Sequence, residues 1–294
     1  MKIAVFGQYS HKNTQESVEA LIKSATLKDS LLFIEKDFFN LLTEKKSTLS
    51  DNLNLRTFEK LDASYELLVT IGGDGTILRA ITFVGDYGIP IVGINTGRLG
   101  FLATIRFDEI ERALEHIFEK NYKISERTLL AVTTTPENED IQKINYALNE
   151  VAVSRKNTTS MITVETHLDD EYLTSYWADG LIIATPTGST GYSLSCGGPV
   201  ITPADDSLVL TPIAPHNLSA RPLVIPSETK ITLKVSGRED QYLISLDSRI
   251  ATLHNSATVT IKRANFRIKM IELPNETFID TLRRKLLWGE DRRN

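Results

Sequence analysis

Short apolar runs alternate with helically spaced stretches over the first 125 residues, and the period of the pattern changes after that. "KIAVF", "SLLFIE", "ELLVTI" and "IPIVGIN" are strand-length and apolar almost throughout, the mark of strands covered on both faces. Between them, "TQESVEALIKSA" and "TILRAITFVGDY" carry helical spacing. "FDEIERALEHIFEKN" follows, with Ile110, Leu114, Ile117 and Phe118 on one stripe. That alternation predicts a parallel α/β sheet. From about residue 126 to 263 the runs become strands parted by turn residues: "LLAVTTT", "MITVETHL", "EYLTSYW", "DGLIIATP", "KITLKVSG", "QYLISLD" and "ATVTIKRA". "LDDEYL" reads as a hairpin with Asp169 and Asp170 near its turn. The tail "ETFIDTLRRKLLW" turns helical again, with Phe278, Leu282 and Leu286 four apart, and is expected to pack back on the first domain. The pattern therefore predicts an α/β N-terminal domain with a parallel sheet (1–125, completed by 264–294) and a β-rich domain (126–263).

Composition changes this picture little. At 294 residues, 41% hydrophobic and 24% charged, the chain is ordinary globular protein with room for two domains. A net charge of −5 with both signs mixed gives no basic surface for nucleic acid, although an anionic cofactor can still bind through local backbone donors. Cys196 is the single cysteine, so no intrachain disulfide forms; this fits a reducing compartment. No run has the length of a signal-peptide core or a membrane span, and a cytoplasmic protein away from membranes is expected.

Candidate chemistry begins at "LLVTIGGDGTILRA" (67–80), where a strand runs into Gly72, Gly73, Asp74, Gly75 and Thr76 and then a helix. Glycines let the backbone approach a ligand, and a helix N-terminus favours an anion. The Walker pattern is absent, because the chain contains no Gly-Lys pair, and Leu78 stands where a dinucleotide fingerprint needs its third glycine. A carboxylate repels phosphate, so its presence among phosphate-binding groups points to one of two roles. It can hold a metal, or it can take a proton from an alcohol that attacks phosphorus. The competing reading is a tight turn with Asp74 as a helix cap.

A second loop, "DGLIIATPTGSTGYSLSCGGPVI" (179–201), breaks from a strand at Pro186 into hydroxyls and glycines. It reads as many small donors on a backbone free to move, with the Tyr192 ring available for stacking. A plain Ser/Thr-rich surface turn is the alternative.

Together "GGDGT" (72–76), the Asn149-Glu150 pair and "TPTGSTGYSLSCGGP" (185–199) closely resemble bacterial NAD kinases, and "NTGRLGFL" (95–102) and "LSARPLVIP" (218–226) are similar to the same family. The resemblance runs from about residue 66 to the C-terminal helix. "GGDGT" alone is shared with diacylglycerol and sphingosine kinases and resembles phosphofructokinase loops, whereas the Asn-Glu pair and the long loop are much more specific. The resemblance implies transfer of the γ-phosphoryl of ATP to the 2′-hydroxyl of the adenosine ribose of NAD, giving NADP. Asp74 would be the proton acceptor, with Gly72, Gly73, Gly75 and Thr76 forming the phosphate loop. NAD would be bound by Asp74, Gly75, Arg79, Asn149, Glu150, Asp179, Thr190, Gly191, Tyr192, Ser193, Leu194, Ser195 and Ala214. A divalent cation such as magnesium and assembly as a homo-dimer or tetramer are implied as well. The chain departs from the family pattern at Gly191, where many relatives have alanine. It departs again at Trp177, where many have arginine, which leaves a cationic contact to cofactor phosphate missing or supplied from elsewhere.

Two other functions share some of these residues. A lipid kinase would use the same "GGDGT" loop but needs a membrane-facing element, and the chain shows no amphipathic basic helix. A non-catalytic NAD sensor would keep both loops and have no need of Asp74. The remaining candidates read as ordinary structure. His11, His116, His167, His216 and His254 show no metal-ligand spacing. Cys196 reads as a small packed residue. Asp247 and Arg249, in "SLDSR", read equally as part of the site and as a plain β-turn.

Overall fold

The apolar runs near the N-terminus are strands of a sheet covered on both sides. The computed structural model describes residues 1–8, 13–44, 55–157, 160–274 and 276–288. It divides into two compact units, Met1–Glu126 with Ile268–Asn294, and Arg127–Arg267. The first unit runs β1 (Lys2–Gly7), α1 (Asn13–Leu27), β2 (Leu31–Glu35), α2 (Lys36–Glu44), β3 (Leu55–Phe58), β4 (Leu67–Gly72), α3 (Asp74–Val84), β5 (Ile91–Asn95), β6 (Ile105–Arg106), α4 (Ile110–Phe118) and β7 (Lys123–Arg127). The second runs β8 (Leu130–Thr135), α5 (Glu139–Lys143), β9 (Tyr146–Ala147), β10 (Glu150–Arg155), β11 (Ile162–Leu168), β12 (Glu171–Ala178), β13 (Gly180–Ala184), α6 (Tyr192–Ser195), β14 (Ser207–Ile213), β15 (Leu223–Pro226), β16 (Ile231–Gly237), β17 (Gln241–Leu246), β18 (Arg249–His254) and β19 (Thr258–Arg263). The chain then returns to the first unit as β20 (Ile268–Glu272) and α7 (Phe278–Leu286).

The first sheet has the order β3-β2-β1-β4-β5-β20-β7, with β6 beside β5. The pairs from β3 across to β20, and β5 with β6, are parallel. Helices cover it. α1 buries Val18, Leu21, Ile22 and Ala25, and α4 buries Ile110, Leu114 and Ile117 with Phe118 packed against the same core. A nine-residue helix is too short to persist alone in water. Burial of three such side chains, at about 1.5–3 kcal/mol each, holds it. The C-terminal helix α7 packs on the same unit, with Leu282 buried and the Phe278 ring 6.1 Å from Phe101.

Strand β1 has β2 on one side and β4 on the other, so the direction of winding reverses between β1 and β4. Open α/β sheets bind ligands outside the carboxyl ends of strands at such a reversal. The carboxyl end of β4 is Gly72, the first residue of "GGDGT".

The second unit has two six-stranded sheets, ordered β15-β14-β13-β10-β17-β18 and β12-β11-β16-β19-β8-β9. The strand pairs in them are antiparallel. Val151, Val153, Leu181 and Ile183 share one core with Val132, Val164, Leu233 and Val259 of the other sheet. The alternate residues Ala152, Ile182 and Ala184 form a second cluster with Ile201 and Val209. Strand β13 is thus buried on both faces, the reason "GLIIA" shows no alternation. Asp169 and Asp170 join β11 to β12 at φ 48° and 71°, the left-handed pair that a two-residue hairpin of this twist requires.

Candidate active site

Gly72 takes φ 154°, and a Cβ there would lie 2.1 Å from Thr76 Oγ1, so the turn into α3 admits only glycine. At Gly73 and Gly75 a Cβ would meet nothing within 4 Å. Packing does not require glycine at those two positions; bare backbone there leaves room for a ligand. Arg79 lies exposed one turn further along α3.

Asp74 does not cap its helix. The N-cap is Gly73, with no side-chain cap. The Asp74 carboxylate instead reaches a distant loop and accepts three consecutive amides: Phe101 N–H to Oδ2 at 2.7 Å, and Leu102 and Ala103 N–H to Oδ1 at 3.0 and 2.9 Å. A Cβ on Gly100 would fall 1.8 Å from Oδ1, so the glycine of "RLGF" is what lets that loop close on the acid. Oδ1 is fully used by two donors, while Oδ2 keeps a lone pair.

Asn149 and Glu150 stand at the start of β10, and they are not a solvated turn. Glu150 is 9% exposed. Asn149 Oδ1 and Glu150 Oε2 are buried with no partner. Leaving such an acceptor unpaired costs about 1–3 kcal/mol, more for a charged group. Burial first, and the charge of Asp247 second, push the Glu150 carboxyl up to about 7, against the pull of the Tyr192 amide.

The loop after β13 corrects an expectation. Its hydroxyls are largely spent inside the fold, and its backbone is packed instead of free to move. Thr185 Oγ1 donates to Leu148 O at 2.6 Å and accepts the Gly188 amide at 3.1 Å. Ser189 Oγ donates to Pro186 O at 2.7 Å and accepts the Ile201 amide at 2.9 Å. Thr190 Oγ1 donates to Thr187 O at 3.1 Å, and Ser193 Oγ pairs with Thr211 Oγ1 at 2.8 Å. The loop seats itself against the Asn-Glu pair: Thr185 N–H donates to Asn149 O at 2.9 Å, and a Cβ on Gly188 would lie 2.0 Å from the same oxygen. At Gly191 a Cβ would lie 3.1 Å from Glu150 Oε2, so glycine here widens the space beside that carboxylate relative to alanine. Tyr192 (45% exposed) faces outward, Ser195 is exposed, Leu194 is half-buried, and Ser193 is buried.

Asp179 pairs with Arg155 at 2.9 Å, a partner not anticipated from the sequence. Ala214 is exposed at φ 42°. Trp177 lies exposed with its ring 4.4 Å from His216, so an aromatic pair stands where the family pattern has arginine. Burial raises the Cys196 thiol, which counts against a nucleophile. His116, His167 and His254 each bond to a neighbouring side chain, and His11 lies outside the described residues.

Comparison with known proteins finds two family models that match the chain. The model for the ATP-NAD kinase N-terminal domain matches residues 8–122, and that for the ATP-NAD kinase C-terminal domain matches 148–273. A NAD kinase of Flavobacterium johnsoniae is 56% identical over 294 residues, covering 100% of both chains. One from Cytophaga hutchinsonii is 41% identical, again over 100% of both. Among solved structures, a yeast NADH kinase complexed with NADH superposes with TM-score 0.87, covering 100% of this chain and 89% of its own; at 24% identity it speaks for the fold alone. A NAD kinase from Archaeoglobus fulgidus in complex with ATP gives TM-score 0.75 at 25% identity, covering 98% of this chain and 99% of its own.

Proposed function

The chain belongs to the ATP-NAD kinase family and has its function, phosphoryl transfer from ATP to NAD, and we propose that the γ-phosphoryl goes to the 2′-hydroxyl of the adenosine ribose with Asp74 as proton acceptor. The observation that carries this reading is the setting of Asp74. It lies at the carboxyl end of β4, between two glycines whose side-chain positions are empty, with one lone pair left on Oδ2. The three amides fix the direction of the carboxylate. A ribose hydroxyl donating to Oδ2 gives up its proton as its oxygen bonds to phosphorus, and the bond from phosphorus to the β–γ bridging oxygen breaks to release ADP. Phosphoryl transfer needs positioning and charge neutralisation more than covalent help. The bare backbone at Gly73 and Gly75 and the first amides of α3 supply donors for phosphate oxygens.

Asn149 and Glu150 bind NAD through the two acceptors that the fold leaves unpaired. Tyr192 supplies a ring and Gly191, Leu194 and Ser195 a surface for the cofactor, joined by Asp179 and Ala214. A divalent cation arrives with the triphosphate. Among the described residues no group of three or more His, Cys, Asp or Glu side chains gathers to hold a resident ion, and magnesium held mainly by substrate phosphates needs only one or two protein carboxylates. The protein works in the cytoplasm as a homo-dimer or tetramer; among the described residues no helix is long and apolar enough to cross a membrane. The test is direct. Purified protein with ATP, magnesium and NAD should yield NADP, read by an NADP-specific dehydrogenase, and no NADP under varied metal and nucleotide would refute the reading.

A further inference from the structure

On the turn between β17 and β18, an acid and a base two residues apart grip one stretch of backbone. Asp247 sits at φ 52° in that turn, its side chain 1% exposed. Its carboxylate accepts three consecutive amides: Leu148 N–H at 2.9 Å on Oδ2, and Asn149 and Glu150 N–H at 2.8 and 3.2 Å on Oδ1. Its own amide donates to Glu150 O at 2.9 Å. Arg249 donates to the carbonyls of Ile144, at 2.7 Å, and Tyr146. The guanidinium lies 3.9 Å from the Asp247 carboxylate.

Successive amides of an extended strand point to opposite edges. Three that converge on one carboxylate mean that the chain bends at 148–150, just as β10 begins. Without an acceptor those buried amides would be orphaned and the bend would not hold. The pair that bends there is Asn149-Glu150, with Asn149 Oδ1 and Glu150 Oε2 buried and unpartnered.

We propose that Asp247, steadied by Arg249, is a positioning residue for the kinase reaction: it sets the backbone of Asn149 and Glu150 so that their free acceptors receive NAD. The proposal rests on the assignment of that pair to NAD. Its charge, as well as its geometry, supports it. An Asn or Ser could accept only part of this set of amides, and Asp247 holds its charge in a buried site where it raises the proton affinity of Glu150. The groups facing Glu150 are Asp247 on this turn and Tyr192 on α6; Arg249 faces Asp247, and Asp179 and Cys196 face Tyr192.

The experiment measures kcat and the KM values for NAD and ATP from pH 5.5 to 9 in the full-length protein, with NAD affinity by calorimetry. It compares Asp247→Asn, Arg249→Lys, Glu150→Gln and the double variant Asp247→Asn/Glu150→Gln. Asp247→Asn turns one acceptor into a donor facing an amide. It should raise the KM for NAD about tenfold or more, leave that for ATP within about twofold, and move the midpoint of the NAD pH dependence to lower pH, because the Asp247 charge that raises the Glu150 carboxyl is gone. In the Glu150→Gln background the pH dependence should be flat and the midpoint shift absent. An unchanged KM for NAD with an unchanged midpoint overturns the proposal. Equal losses in both KM values without a midpoint shift overturn it too, since general damage would do that. If Asp247→Asn does not fold, Arg249→Lys decides: a rise in the NAD value alone supports positioning, and equal rises for both substrates refute it. Failure of the unaltered protein to form NADP would instead sink the functional reading.

Discussion

Replacing Glu150 with glutamine should stabilise the ligand-free protein while weakening its hold on NAD. The carboxyl is raised from 4.5 to about 7, mostly by burial. Below pH 4.5 both folded and unfolded chains hold the proton, and the raised group contributes nothing. Between 4.5 and about 7 the unfolded chain releases the proton and the folded chain keeps it, so stability falls as pH rises; above about 7 the loss is complete. At about 1.4 kcal/mol per tenfold change in proton affinity, the full difference is roughly 3 kcal/mol, of which about 2–3 kcal/mol develops between pH 5 and 8. Glutamine has the same shape and no charge, so its own stability should lack this fall. Urea denaturation of both proteins without ligand, at pH 5 to 8, compares the two slopes and cancels any fixed packing cost of the amide. Calorimetry at pH 8 should show NAD affinity weakened by about 1.5–3 kcal/mol, the loss of a hydrogen bond to a charged group. Parallel stability curves across that range would refute the account of Glu150 as a carboxylate held against its burial. Equal NAD affinity in the two proteins would remove it from the binding site.

Asp74→Asn should lower kcat at least about a hundredfold with NAD affinity nearly kept; near-normal turnover would reduce Asp74 to a clasp for the 101–103 loop, and rescue by raised magnesium would make it mainly a metal ligand. Tyr192→Ala should raise the KM for NAD by about 1–3 kcal/mol if the ring stacks on the cofactor, and a rise in the KM for ATP alone would reverse that assignment. Gly73→Ala places a Cβ in space that no protein atom occupies, so the thermal midpoint should hold while the KM for ATP rises; unchanged kinetics would mean that the empty space takes no ligand.

Elements whose signal is local were legible in the sequence. The strand runs, the amphipathic α4 and the Asp169-Asp170 hairpin each depend on residues within a few positions of one another. Helix α2 was not, although Phe38 and Leu42 are four apart and buried. It follows β2 without a break, and its first amides are taken by Glu35, at 3.1 and 2.8 Å, instead of by a small capping residue. The glycine loop was legible because the carboxylate and its glycines are adjacent. What Asp74 holds was not, because its amide partners lie 27 to 29 residues away. What Asp247 holds was hidden in the same way, its amides being 97 to 99 residues distant. In the Thr/Ser loop, composition counts hydroxyls but cannot tell which are consumed. Ser189, Thr190 and Ser193 read as candidate donors for a ligand and prove to be fastened within the protein.

Asp74 and Asp247 use one device to different ends. Each accepts three consecutive amides from a segment remote in sequence, and each follows a strand end, β4 in one case and β17 in the other. A carboxylate suits this because it presents about four lone-pair sites and no donor, whereas an Asn side chain would turn half of them into a clash with an amide. The surroundings then separate the roles. Asp247 is 1% exposed and 3.9 Å from Arg249, so under the positioning proposal its effect on a ligand passes through the backbone of Asn149 and Glu150. Asp74 is only half-buried, beside glycines with nothing at their Cβ positions, so the lone pair left on Oδ2 is open to a substrate hydroxyl. The amides that hold Asp74 restrict its rotation, and a base that is already aimed loses little entropy when the alcohol arrives. On the proposal that Asp74 is the proton acceptor, fastening and catalysis therefore do not compete: the three hydrogen bonds that look structural would keep the fourth site pointed at the reaction.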